Sequence, residues 1–92
     1  MRFEWDEAKN VLNIRKHGID FSDAIDVFNH PMLLIADDRK FYGEERWIAL
    51  GWIQEILGVV VYTEQAGDVI RIISARKATR YEVRRYEQIV KN

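Results

Sequence analysis

The stretch ILGVVVYTEQAGDVIRIISAR, Ile56 to Arg76, decides the fold. It divides into ILGVVVYTE and DVIRIISAR, two runs dense in branched and aromatic side chains, each the length of a strand. Only a short link around QAG separates them, so they should pair as antiparallel neighbours. Upstream, RWIALGWI (Arg46–Ile53) has the same character and is joined to the first run by Gln54 and Glu55 alone. MLLIADD (Met32–Asp38) precedes it across the longer, polar link RKFYGEE. The spacing predicts a four-stranded antiparallel sheet.

Helical patterns flank these strands. FEW, near the start, reads as a short strand, and Asp6 as the N-cap of EAKNVLNIRKH. Ala8, Val11, Leu12 and Arg15 share one face of that helix, with Ile14 beside them. Gly18 suits the left-handed residue just past the helix end, with Ile19 meeting Ile14 across the stop. Ser22 is placed to cap a second helix, DAIDVFNH, closed by Pro31. Thr79 and Glu82 have capping-box spacing and open a last helix, YEVRRYEQIVK, whose apolar side comes from Tyr81, Val83, Tyr86, Ile89 and Val90. The expected fold is α+β in two layers: two N-terminal helices, a four-stranded antiparallel sheet and a C-terminal helix, one domain over residues 1–92.

Composition narrows the function. At 92 residues and 48% hydrophobic, the chain can bury a core and is not compositionally disordered. It has no cysteine and two histidines, which argues against disulfides, thiolate chemistry and a dedicated transition-metal site. The opening MRFEWDEAKN is charged where a signal peptide is apolar, and ILGVVVY is too short to span a bilayer, so a cytoplasmic setting is expected, with no membrane partner. Charge is uneven: residues 1–70 carry 7 Lys/Arg against 13 Asp/Glu, net −6, while residues 71–92 carry 7 against 2, net +5. A basic tail segment on an acidic body suits an anionic partner or a solvated helix beside an acidic element.

Three groups could carry chemistry. Arg15, Lys16 and His17 sit at the first helix stop, where basic residues complement the helix dipole by about 0.3–1 kcal/mol without any further role. A histidine there can also move protons near neutral pH. YGEER, Tyr42 to Arg46, is either a solvated turn or a place where Arg46 meets a phosphate and Glu45 orients it or accepts a proton. In RIISAR, regular alternation separates Arg71 from Arg76, so both serve one site only if a bulge or strand end re-aims one of them. The tyrosines Tyr42, Tyr62, Tyr81 and Tyr86 could stack on bases, whereas Trp5, Trp47 and Trp52 read as core.

The order of these motifs is itself informative. FEWDEAKNVLNIRKHGIDFSDAIDVF, then YGEERWIALG, then RIISARKATRYEVRRYE together resemble the BrnT toxin family of type II toxin–antitoxin systems, over essentially the whole chain. The resemblance rests on the W-D-x-x-K start, the K-H-G helix stop, the G-E-x-R strand entrance (here G-E-E-R) and R-I-I-S-A-R. It implies a RelE-like ribonuclease fold, RNA cleavage that arrests translation, and chemistry without metal or cofactor. It also implies a ribbon-helix-helix antitoxin that neutralises the toxin and binds operator DNA, so that the complex represses its own operon. By motif, Lys16 and His17 match the helix stop, Glu45 and Arg46 the strand entrance, and Arg71, Ser74 and Arg76 the last segment.

RNA supplies its own nucleophile, the 2′-hydroxyl, so a protein needs only to move protons and stabilise charge on phosphorus. Arg46, Arg71 and Arg76 are expected around the phosphate with Lys16 in support, and His17 or Glu45 as proton carrier. Ser74, Lys77, Arg80 and Arg84 are expected to hold RNA, with a ribosome able to order the substrate. Two other readings stand beside this one. The first is a non-catalytic module that docks nucleic acid or an acidic protein on its basic last helix. The second is a structural subunit whose basic segment an obligate partner covers.

Overall fold

The protein is described from a computed structural model over residues 1–39 and 43–91. The chain runs β1 (Arg2–Glu4), α1 (Glu7–His17), α2 (Phe21–Ala24), a 3-10 turn (Ile25–Asn29), β2 (Met32–Ala36), β3 (Trp47–Ile53), β4 (Ile56–Gln65), β5 (Val69–Lys77) and α3 (Arg80–Tyr86), which continues as a π turn (Glu87–Lys91). Among the described residues, no helix is long and apolar enough to cross a membrane.

The meander forms as the sequence implies. β2, β3, β4 and β5 pair antiparallel in chain order, and Ile53 faces Ile56 across the two-residue turn. The expected four-stranded antiparallel sheet is nevertheless incorrect. The sheet is mixed and five-stranded, in the order β1-β5-β4-β3-β2, because β1 adds parallel to the outer edge of β5, Arg2 against Val69 and Glu4 against Arg71. A three-residue strand has no periodicity of its own, and its partner lies at the far end of the chain, so local pattern reveals FEW as extended but not as paired.

Two layers become three. On one face, Phe21, Ala24 and Val27 pack with Ala49, Val60, Tyr62, Ile70, Ile72 and Ala75. On the other, Tyr86 and Ala78 pack with Leu50, Leu57 and Val59, flanked by Leu33, Ile48, Val83 and Val90. The Tyr86 hydroxyl donates to the Pro31 carbonyl at 2.8 Å, tying α3 to the start of β2. The capping box is present, with the Thr79 hydroxyl accepting from the Glu82 amide and the Glu82 carboxylate from the Thr79 amide.

Local stops and caps mostly follow expectation. Asp6 caps α1 by accepting from the Lys9 amide, and Gly18 ends it with φ +74°, its amide donating to the Ile14 carbonyl. The second helix starts earlier than expected. Asp20, not Ser22, is its cap, accepting from the Ser22 amide and hydroxyl, and α2 gives way to the 3-10 turn after one turn. Trp5 meets Phe21 edge-on at 6.2 Å as a core residue should, while Trp52 is 37% exposed.

The orientation of α1 is inverted. The buried residues of this helix are Asn10 and Asn13, while Val11, Leu12 and Ile14 are exposed. Hydrogen bonding is the physical reason. Asn13 accepts from the Ala75 amide and donates to the Ala75 and Ile19 carbonyls, completing the edge of β5 that β1 is too short to cover. Asn10 accepts from the Phe21 amide and donates to Asp20. Burying leucine there instead would leave those backbone groups without partners.

Candidate functional site

A bulge assembles the site. In the β4–β5 ladder Tyr62 faces Ile72 and Val61 faces Ser74, so Ile73 has no opposite number. Arg71 therefore stands opposite Thr63, Ser74 opposite Val61 and Arg76 opposite Val59. Those three β4 positions alternate on one face, so Arg71, Ser74 and Arg76 share that face as well. Arg46 comes at the same level: Trp47 pairs with Tyr62, and one residue earlier the Arg46 carbonyl accepts from the Asp37 amide at 2.8 Å.

Each arginine has a carboxylate. Arg71 donates through Nη1 to Glu4 at 2.6 Å, an ion pair made possible by the parallel β1 strand. Its remaining donors have no protein partner among the described residues, and its side chain is 37% exposed. Arg76 donates through both Nη atoms to Glu82, at 2.8 and 2.9 Å, and through Nη1 to the Lys77 carbonyl. That fork, with help from the Thr79 amide and hydroxyl, pulls the Glu82 carboxyl down to about 2. The same bond raises Arg76 above its ordinary value, although partial burial and, to a lesser extent, nearby Arg39 oppose it. Arg46 lies 4.0 Å from Glu44, and Arg39 forms a fork with Asp37 at 2.8 and 2.9 Å. The face is thus a set of oriented guanidiniums whose charge is largely balanced by neighbouring carboxylates.

Lys16 and His17 arrive from another direction. They line a groove of about 290 Å³ with Lys9, Leu12, Asn13, Ile73 and Ser74, between the end of α1 and the open edge of β5. Ile73, the spare residue of the bulge, and Ser74, which belongs to the arginine face, both border it. Ser74 is thus shared between the arginine row and the Lys16–His17 pair.

The remaining expected site residues are less concentrated. Glu45 borders a separate hollow of about 300 Å³ with Glu44, Trp47, Thr63 and Glu64. Lys77, at the end of β5, and Arg80 and Arg84, one turn apart on α3, are exposed. Tyr62 and Tyr86 are buried and unavailable for stacking. Tyr81 is 67% exposed, with the Arg85 guanidinium 6.0 Å from its ring centre. Tyr42 lies outside the described residues.

Asn13, Glu4 and Glu82 are the participants that sequence reasoning missed. Asn10 and Asn13 did carry a signal, since asparagine is a poor residue for a helix interior unless its amide has a partner. Glu4 carried none.

The fold has a known counterpart. The crystal structure at 1.1 Å of the Brucella abortus ribonuclease toxin BrnT is similar, with a TM-score of 0.70 and 28% identity over 87% of this chain and 99% of that one. No curated protein matches the chain. The family model described as "Ribonuclease toxin, BrnT, of type II toxin-antitoxin system" matches residues 5–82. With most of its length inside that match, the chain belongs to the BrnT ribonuclease toxins of type II toxin–antitoxin systems.

Proposed function

We propose that this toxin is an endoribonuclease that cleaves RNA by attack of the 2′-hydroxyl on the adjacent phosphodiester, without a metal ion, and thereby arrests translation. The observation that carries the proposal is the bulge at Ile73, which turns Arg71, Ser74 and Arg76 to one face beside the groove of Lys16 and His17. Arg46, Arg71 and Arg76 hold the phosphate and stabilise charge as the 2′-oxygen bonds to phosphorus and the bond to the 5′-oxygen breaks. His17 takes the proton of the 2′-hydroxyl, the departing 5′-oxygen takes one from solvent, and a 2′,3′-cyclic phosphate remains. His17 is favoured over Glu45 because it shares the groove that Ser74 borders, whereas Glu45 faces Glu44 and Glu64. Lys16 supports the phosphate. Ser74 and the exposed Lys77, Arg80 and Arg84 guide the strand, and a ribosome can present it in order.

A type II toxin has an antitoxin partner. The resemblance in sequence supports a ribbon-helix-helix protein that neutralises this chain and carries the complex to operator DNA, so that the pair represses its own operon. A purely binding role for the basic last helix is the rival reading, and one experiment separates the two. The isolated chain is incubated with RNA, with and without chelator, and the ends are mapped. Cleavage unaffected by chelator, leaving cyclic phosphate and 5′-hydroxyl ends, is expected. Intact RNA, bound with a steep salt dependence, would favour the binding module instead.

A further inference from the structure

The outward face of α1 is an apolar stripe among the described residues. Ala8, Val11, Leu12 and Arg15 follow the i, i+3, i+4, i+7 spacing of a packing face, yet all four are exposed, Val11 at 48% and Leu12 at 59%. Ile14 extends the patch at 40%. Scattered apolar side chains on a surface are ordinary, but a contiguous row along one helix marks an interaction face. The inner side of the helix is committed to Asn10 and Asn13, so α1 cannot roll to hide the stripe without breaking the bonds to Ala75, Ile19 and Phe21.

Charge identifies the occupant. Lys9, Arg15 and Lys16 frame the stripe, and the single carboxylate of the helix, Glu7, already accepts from the Trp5 indole and the Asn10 amide. A second copy of this chain would bring the same three cations into a shared interface. RNA would find no aromatic ring on the stripe to stack against. An amphipathic helix with an apolar face and acidic margins satisfies both features.

We propose that the antitoxin lays such a carboxylate-edged helix along Ala8, Val11 and Arg15 of α1, and that it neutralises the toxin by covering the adjoining groove of Lys16 and His17. This rests on the nuclease reading for its second half only, because binding and cleavage are measured separately.

The test uses the full chain and the purified antitoxin from its own operon. Val11→Glu and Ala8→Glu are each expected to weaken antitoxin binding at least tenfold while the free chains cleave RNA at the parental rate. The chain has no cysteine, so Val11→Cys provides a unique thiol. Its reaction with a bulky maleimide should slow at least tenfold in the complex. Antitoxin affinity unchanged in both charge variants, or a thiol that labels equally fast in the complex, overturns the proposal. So does a dimer of the free chain that Val11→Glu dissolves without affecting antitoxin affinity, or a loss of RNA binding with antitoxin affinity intact. If none of the chains cleaves RNA but the binding and labelling results hold, the docking surface stands and the nuclease reading falls.

Discussion

Arg71 and Arg76, five residues apart on one strand, project from the same face of the sheet because Ile73, between them, has no partner on β4. Five is an odd number of steps, so an unbroken strand would send them to opposite faces. The single spare residue corrects the parity, and it does so beside the end of α1, where Lys16 and His17 lie.

The arginines are expected to act on the reaction rather than on the fold. Arg71→Ala should lower RNA cleavage by about 10²-fold, on the scale of losing one charge-stabilising donor. Its half-exposed pair with Glu4 contributes about 0–1 kcal/mol, so thermal unfolding should shift little. Comparing cleavage rates with melting curves decides it, and an unchanged rate removes Arg71 from the mechanism.

His17 and Glu45 should separate cleanly. His17→Ala is expected to reduce single-turnover cleavage by about 10²-fold, the usual scale for a proton carrier. Glu45→Ala should stay within about threefold of the parent, since its effect is confined to an exposed charge. The reverse ranking would move the proton transfer to the acidic hollow.

Asn13→Leu should destabilise the chain by about 2–4 kcal/mol in urea unfolding, because the amide and carbonyl of Ala75 and the carbonyl of Ile19 lose their partner inside the protein. Asn13→Asp should be at least as harmful, since the carboxylate would face two carbonyl oxygens. A change below about 0.5 kcal/mol in both would mean that the β5 edge is satisfied in some other way.

The Arg76–Glu82 fork predicts an acid dependence with a definite sign. The Glu82 carboxyl is held near about 2 in the folded chain, below its ordinary value of 4.5, so its contribution is present above pH 4.5 and lost as pH falls towards 2. Allowing for solvent around the pair, that contribution is about 1 kcal/mol. Unfolding free energies from pH 5 to 2 should therefore converge for the parent and Glu82→Gln. Parallel curves would show that the fork does not couple to folding.

Much of this protein was legible in its sequence, because the informative forces are local. The branched runs from Met32 to Arg76 set four strands, the two-residue and QAG links made them neighbours, and Asp6, Gly18 and the Thr79–Glu82 pair fixed helix ends. The order of motifs also indicated the family to which the chain belongs. Tertiary structure decided what depends on partners distant along the chain. Pairing of β1 with β5 turned an antiparallel sheet into a mixed one and delivered Glu4 to Arg71. Backbone groups on the open edge of β5 required amides from α1, which reversed the face that apolar spacing alone would have buried. The bulge that unites Arg71 with Arg76 is a matter of register, and register emerges only when two strands meet.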